Sequence, residues 1–365
     1  MMRAYPDYQA PGMSVGGFTL FPRLVTDFGY SDNIYARPTA PKASAIGTIA
    51  PEAVLRSNWS RHTLDASARA EAKRYASAKD ENAENYRFSL GGGLNIDSES
   101  QLTAAILRER LSELRGDPDT LNRATEATSY DTSRGEVGYS QTSGRFNIRL
   151  RGNVQDFEFQ PTPLGEGRQV SGDERSYMTY GAFGRLSYEL NPDFTLFSEG
   201  GWRARRYDRP AGNGLKSRDS TGPEVGGGVN FALSALWSGE IALGYAERNL
   251  DDANFGSVSA MTARAQLLWN VTRATSLRAQ ALRGINEVAV GPSIAYLSTT
   301  YWFGLEHQLQ SDLLIGANVS TRYLDYERSR DAADILSVGA RATWFINRSF
   351  QAQAEVNFSR RDGTQ

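Results

Sequence analysis

Eleven arginines, Arg69, Arg87, Arg149, Arg151, Arg185, Arg203, Arg205, Arg264, Arg278, Arg322 and Arg341, fall on the polar side of segments whose character alternates every second residue. Six carboxylates share that side: Asp65, Glu71, Glu189, Glu199, Glu240 and Glu355. A guanidinium offers a planar fork of donors that fits carboxylate, phosphate or sulfate, and charged side chains along a water-filled path set its ion preference. Arginine exceeds acid in this set by eleven to six, so its chemistry points to an anion-favouring passage suited to acidic sugars. The alternative is that the arginines pair with the acids across neighbouring strands and stiffen a wall.

Other chemistry is poorly provided for. Cysteine is absent, which removes disulfides and thiolate reactions, and two histidines, His62 and His307, are too few for a histidine-rich metal site. Serines are abundant, but both histidines sit at expected short turns on the inner rim and read as ordinary turn or interface residues, so catalysis, which needs a nucleophile, base and orienter within reach, is not expected. The acidic groups Asp80, Glu81 and Glu84, and Asp251 with Asp252, read as solvated loop charge rather than calcium ligands. Glycine runs at 91–93 and 226–228 lie within strands and precede no helix, so they suit strand bending better than phosphate binding. No cofactor is implied. A net charge of −2 gives no general attraction for nucleic acid. The basic residues are nonetheless 36 Arg against 4 Lys, a skew that either genome composition or the passage itself would explain.

The segments that carry these residues have a period of two. In TLDASARAEAK, residues 63–73, Leu64, Ala66, Ala68, Ala70 and Ala72 oppose Thr63, Asp65, Ser67, Arg69, Glu71 and Lys73. A strand sends successive side chains to opposite faces, whereas a helix would mix the charges among the alanines. Residues 145–155 repeat the pattern, with Phe146, Ile148, Leu150, Gly152 and Val154 on one side. Short turns near 58–61, 97–100, 142–145, 191–193, 234–236, 270–273, 308–312 and 347–349 alternate with longer polar stretches, which predicts hairpin after hairpin. Seventeen strands are expected, over 17–30, 43–57, 62–76, 85–97, 100–114, 126–141, 145–160, 174–190, 193–207, 221–234, 236–250, 255–269, 273–285, 293–308, 312–327, 333–346 and 349–360.

Mean hydropathy is −0.48 and no apolar run approaches the roughly 20 residues of a membrane helix. Neither fact argues against a membrane barrel, because alternation halves the apolar content of each spanning strand. The fold class expected is all-β, an antiparallel up-and-down transmembrane β-barrel of about 18 strands. Seventeen would be visible and the last would lie beyond Gln365, since single-chain bacterial barrels have even counts; 16 is the alternative. Aromatics near the short turns, Phe18, Phe21, Trp59, Phe194, Trp237, Trp269, Trp302, Phe303, Trp344, Phe345 and Phe350, would form an interfacial girdle. Residues 1–17 are read as a periplasmic N-terminal segment and 18–365 as the barrel. The start, MMRAYPDYQAPGMSVGG, has no charged-then-apolar leader, which reads as a mature or trimmed chain.

Residues 18–38 (FTLFPRLVTDFGYSDNIYARP), 50–75 (APEAVLRSNWSRHTLDASARAEAKRY) and 85–97 (NYRFSLGGGLNID) carry a family likeness. Through them the chain resembles the outer-membrane β-barrel porins of type 2, closely over about the first hundred residues and in pattern beyond. The resemblance implies a barrel of the bacterial outer membrane. Because members occur in exopolysaccharide-export loci, it also implies the outer-membrane exit for such a polymer. A general diffusion porin, or an occluded assembly barrel that anchors periplasmic partners, is the competing reading. Outer-membrane lipid and lipopolysaccharide would surround the greasy face, and polysaccharide-export or other periplasmic proteins would meet the inner rim.

Overall fold

The computed structural model describes residues 6–121, 124–209, 218–252, 256–289, 293–327 and 332–363. Seventeen long strands follow one another as β2 (Phe18–Ser31), β3 (Ser44–Ser57), β4 (Thr63–Tyr75), β5 (Ala83–Asn95), β6 (Ser100–Ser112), β7 (Ser129–Ser143), β8 (Phe146–Phe159), β11 (Tyr177–Asn191), β12 (Phe194–Tyr207), β13 (Ser220–Phe231), β14 (Trp237–Leu250), β15 (Ser257–Asn270), β16 (Thr275–Glu287), β17 (Ala295–Gln308), β18 (Leu313–Tyr326), β19 (Ala332–Phe345) and β20 (Gln351–Gly363). Each lies within three residues of an expected strand at both ends. Three short strands were not legible in the periodicity: β1 (Met13–Val15), β9 (Thr162–Gly165) and β10 (Arg168–Val170). Each is three or four residues long, too short to show a period.

β1 to β8 and β11 to β20 form one 18-stranded sheet in which every long strand pairs antiparallel with the next long strand. The eighteenth member is β1, folded back on the start of β2 with Val15 opposite Phe18. Part of the segment expected to precede the barrel therefore lies in its wall. β9 and β10 form a separate hairpin inside the loop between β8 and β11. The sheet curls until its first and last turns meet: Tyr8 stacks on Phe345 at 5.4 Å, and Arg348 Nε donates to the Asp7 carbonyl at 3.3 Å. Among the described residues, β20 has a register only with β19, and β1 and β2 only with each other and β3.

Short turns hold the register. Ser143 pairs with Phe146 across a two-residue turn in which Gly144 has φ +57°, the conformation that matches strand twist in such hairpins. At the β5–β6 turn the Asp97 carboxylate accepts from the Glu99 and Ser100 amides at 2.8 and 2.7 Å. Those bonds, that to Glu99 foremost, hold its carboxyl below the usual carboxylate range.

Alternation sorts the two faces. Leu24, Ile106, Leu243, Met261 and Val356 point outward and are each more than 60 % exposed, and no protein layer among the described residues covers that face. On a strand barrel an exposed apolar belt of this kind suits a lipid surrounding. No helix is long and apolar enough to cross a membrane; the strands do the crossing. Replacing Ile106, midway along β6, by lysine is expected to cost about 2–4 kcal/mol of folding stability in bilayers. Lysine at its inward neighbour Ala105 should cost under about 1 kcal/mol. Urea titration of the protein refolded into vesicles measures both, and equal costs would remove lipid from the picture.

Candidate functional site: the arginine-lined lumen

The inner face is densest in charge where β11 to β15 run side by side. Arg185 on β11 reaches Glu240 on β14 at 2.8 Å and Glu199 on β12 at 3.6 Å. Arg264 on β15 reaches the same two acids, Glu240 at 2.6 Å and Glu199 at 3.0 Å. Both arginines reach across β13, which presents bare backbone because Gly226 and Gly228 face inward. A Cβ at Gly228 would lie 2.1 Å from the Ile241 carbonyl, and one at Gly226 would lie 2.9 Å from that of Leu243. The glycine run at 226–228 thus floors an ion-pair quartet, a role beyond the strand bending expected of it. Phe197 packs against Gly228 and under the Arg185 guanidinium, whose carbon is 3.5 Å from the ring centroid. The Asn230 amide, turned to suit its neighbours, joins Glu240 and Arg185 at 2.8 Å each.

All seventeen charged residues singled out in the sequence lie on this inner face by register, for instance in the row Asp65, Gly91, Ala105, Glu136, Asn153, Gly181 and Arg203. They divide into two groups. Arg69 pairs with Glu71 and Glu52, Arg87 with Glu109, Arg203 with Glu224, Arg205 with Glu287 and Arg341 with Glu306. With Arg185 and Arg264 these are wall-stiffening contacts. Arg149, Arg151, Arg278 and Arg322 make no ion pair among the described residues. Glu355 accepts from Gln353 and Asn357 instead of an arginine, while Asp65 and Glu189 form no ion pair among the described residues. A cavity of about 920 Å³ remains in the lumen, bordered by Arg149, Arg151, Arg322 and the quartet.

In the loop between β6 and β7 the described residues, 113–121 and 124–128, cross the long-loop mouth. Glu113 is gripped by Arg175, whose guanidinium also donates to the Asp119 carbonyl at 3.0 Å. Arg115 pairs with Glu81 at 2.5 Å beside β4. On the far wall the Asp119 carboxylate accepts from the Ala289 amide at 2.9 Å, and the Gly116 carbonyl accepts from Arg361 on β20 at 2.8 Å. Anchors spread round the rim in this way hold a lid. Beneath it, Tyr130, Phe157, Phe159, Tyr177 and Tyr207 pack ring against ring, with the Arg205 guanidinium carbon 4.3 Å from the Tyr177 centroid. Nothing in the periodicity marked these lid contacts, since they join residues as far apart as 119 and 289.

The aromatic assignment needs three corrections. Trp302 faces the lumen, opposite Gln280 and Ser320 and against Gly304, whereas Tyr301 and Phe303 face out. Phe21 also points inward, under Arg56, and Phe345 packs on Tyr8. Proximity to a turn misled where parity decides. Trp59, exposed in its turn against Phe18, lies at the short-turn rim with Phe194, the stacked pair Trp237 and Trp269 at 4.6 Å, Trp344 and Phe350. Phe28, Tyr30, Tyr180, Trp202 and Tyr245 are exposed outer-face rings that nearness to a short turn does not mark.

His62 Nδ1 accepts from the Asn95 amide, and His307 shares a hydrogen bond with Thr275 at 2.9 Å. The loop acids Glu81, Glu84 and Asp251 are engaged by Arg115, Arg74 and Arg206.

One curled antiparallel sheet, greasy outside and charged inside, with short turns at one rim and folded loops at the other, defines an outer-membrane β-barrel. Solved barrels share the fold: the FrpB iron transporter from Neisseria meningitidis (F3-3 variant) at TM-score 0.55 and 11 % identity, over 94 % of this chain and 62 % of that one. The ferric enterobactin receptor PfeA in complex with BCV-L6 gives 0.53 and 8 %, over 96 % and 69 %, and the unliganded ferric citrate transporter FecA gives 0.50 and 10 %, over 99 % and 61 %. The chain thus spans about three-fifths of the length of FrpB and FecA, and at these identities the likeness is one of fold alone. No curated protein matches it in sequence. The chain belongs to the family "Putative beta-barrel porin 2", whose pattern matches residues 5–365.

Proposed function

We propose that this barrel is a non-enzymatic outer-membrane pore for anionic solutes, with an acidic exopolysaccharide as the cargo it fits best and residues 113–128 as its outer lid. The observation that carries this reading is the group of lumen arginines that make no ion pair among the described residues, Arg149, Arg151 and Arg278, the first two bordering the cavity beside the Arg185–Glu240 quartet. An uncompensated guanidinium in a water-filled wall attracts anions and repels cations. Lipopolysaccharide would lie against the outer face, and periplasmic export proteins would meet the short turns. A general diffusion porin would share the arginine lining.

The lid favours a second reading, an occluded barrel that serves as an assembly anchor. Reversal potentials of the refolded protein in planar bilayers under a salt gradient separate the two. Anion preference is expected; cation preference would sink the cargo reading, and no conductance with or without the lid would leave the anchor.

A further inference from the structure

The two walls of the lumen differ in kind. From β11 to β15 the inner face is held by ion pairs; on β16 to β18 Asn286 donates to Ser298 at 2.7 Å towards the loops and Glu306 pairs with Arg341 towards the turns, but a cluster between them makes no such contact among the described residues. Trp302 on β17 lies over Gly304, where a Cβ would come within 2.2 Å of the indole, so the ring occupies the space that any larger side chain there would fill. Its register neighbours are Gln280 on β16 and Ser320 on β18, while Gly304 stands between Arg278 and Asn318. Among the described residues none of these five side chains makes a hydrogen bond or ion pair, and no ring or guanidinium stacks on the indole.

We propose that Trp302, with Arg278, Gln280, Asn318 and Ser320, is a binding site for a uronic-acid residue of a glycan; this deepens the pore reading and rests on it for the polymer's route. A pyranose has an apolar face of axial hydrogens that packs on an electron-rich ring, and a flat indole backed by glycine is such a platform. Neighbouring strands are about 5 Å apart, so amide and hydroxyl groups stand beside the indole within reach of ring hydroxyls. The Arg278 fork, which makes no ion pair among the described residues, would take the carboxylate. A sulfate or phosphate ion would satisfy Arg278 but would not use the indole, and a neutral glycan would use the indole but not Arg278. The combination selects the acidic sugar.

Titration calorimetry of the purified barrel in detergent, with an oligogalacturonate and with maltohexaose as the neutral probe, tests it. Trp302→Ala should weaken oligogalacturonate binding by about tenfold or more, while Trp302→Phe retains most of it. Arg278→Gln should weaken oligogalacturonate and leave maltohexaose as it was. Heat-modifiable gel migration shows that each variant is folded. Unchanged oligogalacturonate affinity in folded Trp302→Ala or Arg278→Gln, or no binding by the parent protein, overturns the site. Salt conductance of the same preparations is a separate axis. An insulating barrel with Trp302-dependent binding keeps the site and loses the pore, and a conducting one without such binding does the reverse.

Discussion

Replacing residues 114–127 with a short glycine–serine turn is expected to raise single-channel conductance about tenfold or more, because it removes the lid that crosses the mouth. The anchors are few and spread out: Glu113 on Arg175, Arg115 on Glu81, Asp119 on Ala289, and Gly116 on Arg361. Shortening a loop costs little closure entropy, and β6 and β7 stay paired from Ser112 with Ser129 downward, so the wall should survive. Arg175→Ala should give a smaller rise with frequent closures, since it frees Glu113 and the Asp119 carbonyl but leaves the far-wall contacts. Single-channel recording in planar bilayers measures both. Conductance that stays at the parental level in the lidless protein would place the constriction elsewhere in the lumen.

The second large effect is on charge selectivity. Arg149→Glu with Arg151→Glu should move the reversal potential from the anion side to the cation side, an order-of-magnitude change in permeability ratio. These two are the informative positions. Neither carries an ion pair among the described residues, both border the 920 Å³ cavity, and Arg149 sits directly opposite Arg185 in the ladder. Reversing them replaces two uncompensated positive charges by two negative ones in a confined path. Arg264→Gln serves as the contrast. It strips Glu199 and Glu240 of a partner at 3.0 and 2.6 Å, so it should lower stability far more than it alters selectivity. If the double reversal left the potential unchanged while Arg264→Gln shifted it, the quartet would be the selectivity element.

Local and distant information are written differently in this chain. Leu64 to Lys73 announced a two-faced strand because alternation is written in neighbouring residues and needs no partner. The tight turn at Gly144 likewise set the β7–β8 register within two residues. Trp302 was within reach of the same logic: Tyr301, Phe303 and Leu305 alternate with Trp302, Gly304 and Glu306, and parity alone puts the indole inside. Distance from a turn was the wrong guide there.

From the chain by itself came the strands, their order, the two faces and the charged side, since a backbone period of two converts sequence directly into facing. Only the folded sheet decided which arginines are spent on acids. Arg185 meets Glu240 from 55 residues away, over glycines of a third strand, and no local pattern encodes that reach. The lid was decided in the same way. Its anchors come from opposite sides of the rim, and their proximity exists only once the sheet has curled far enough to bring residue 119 to residue 289.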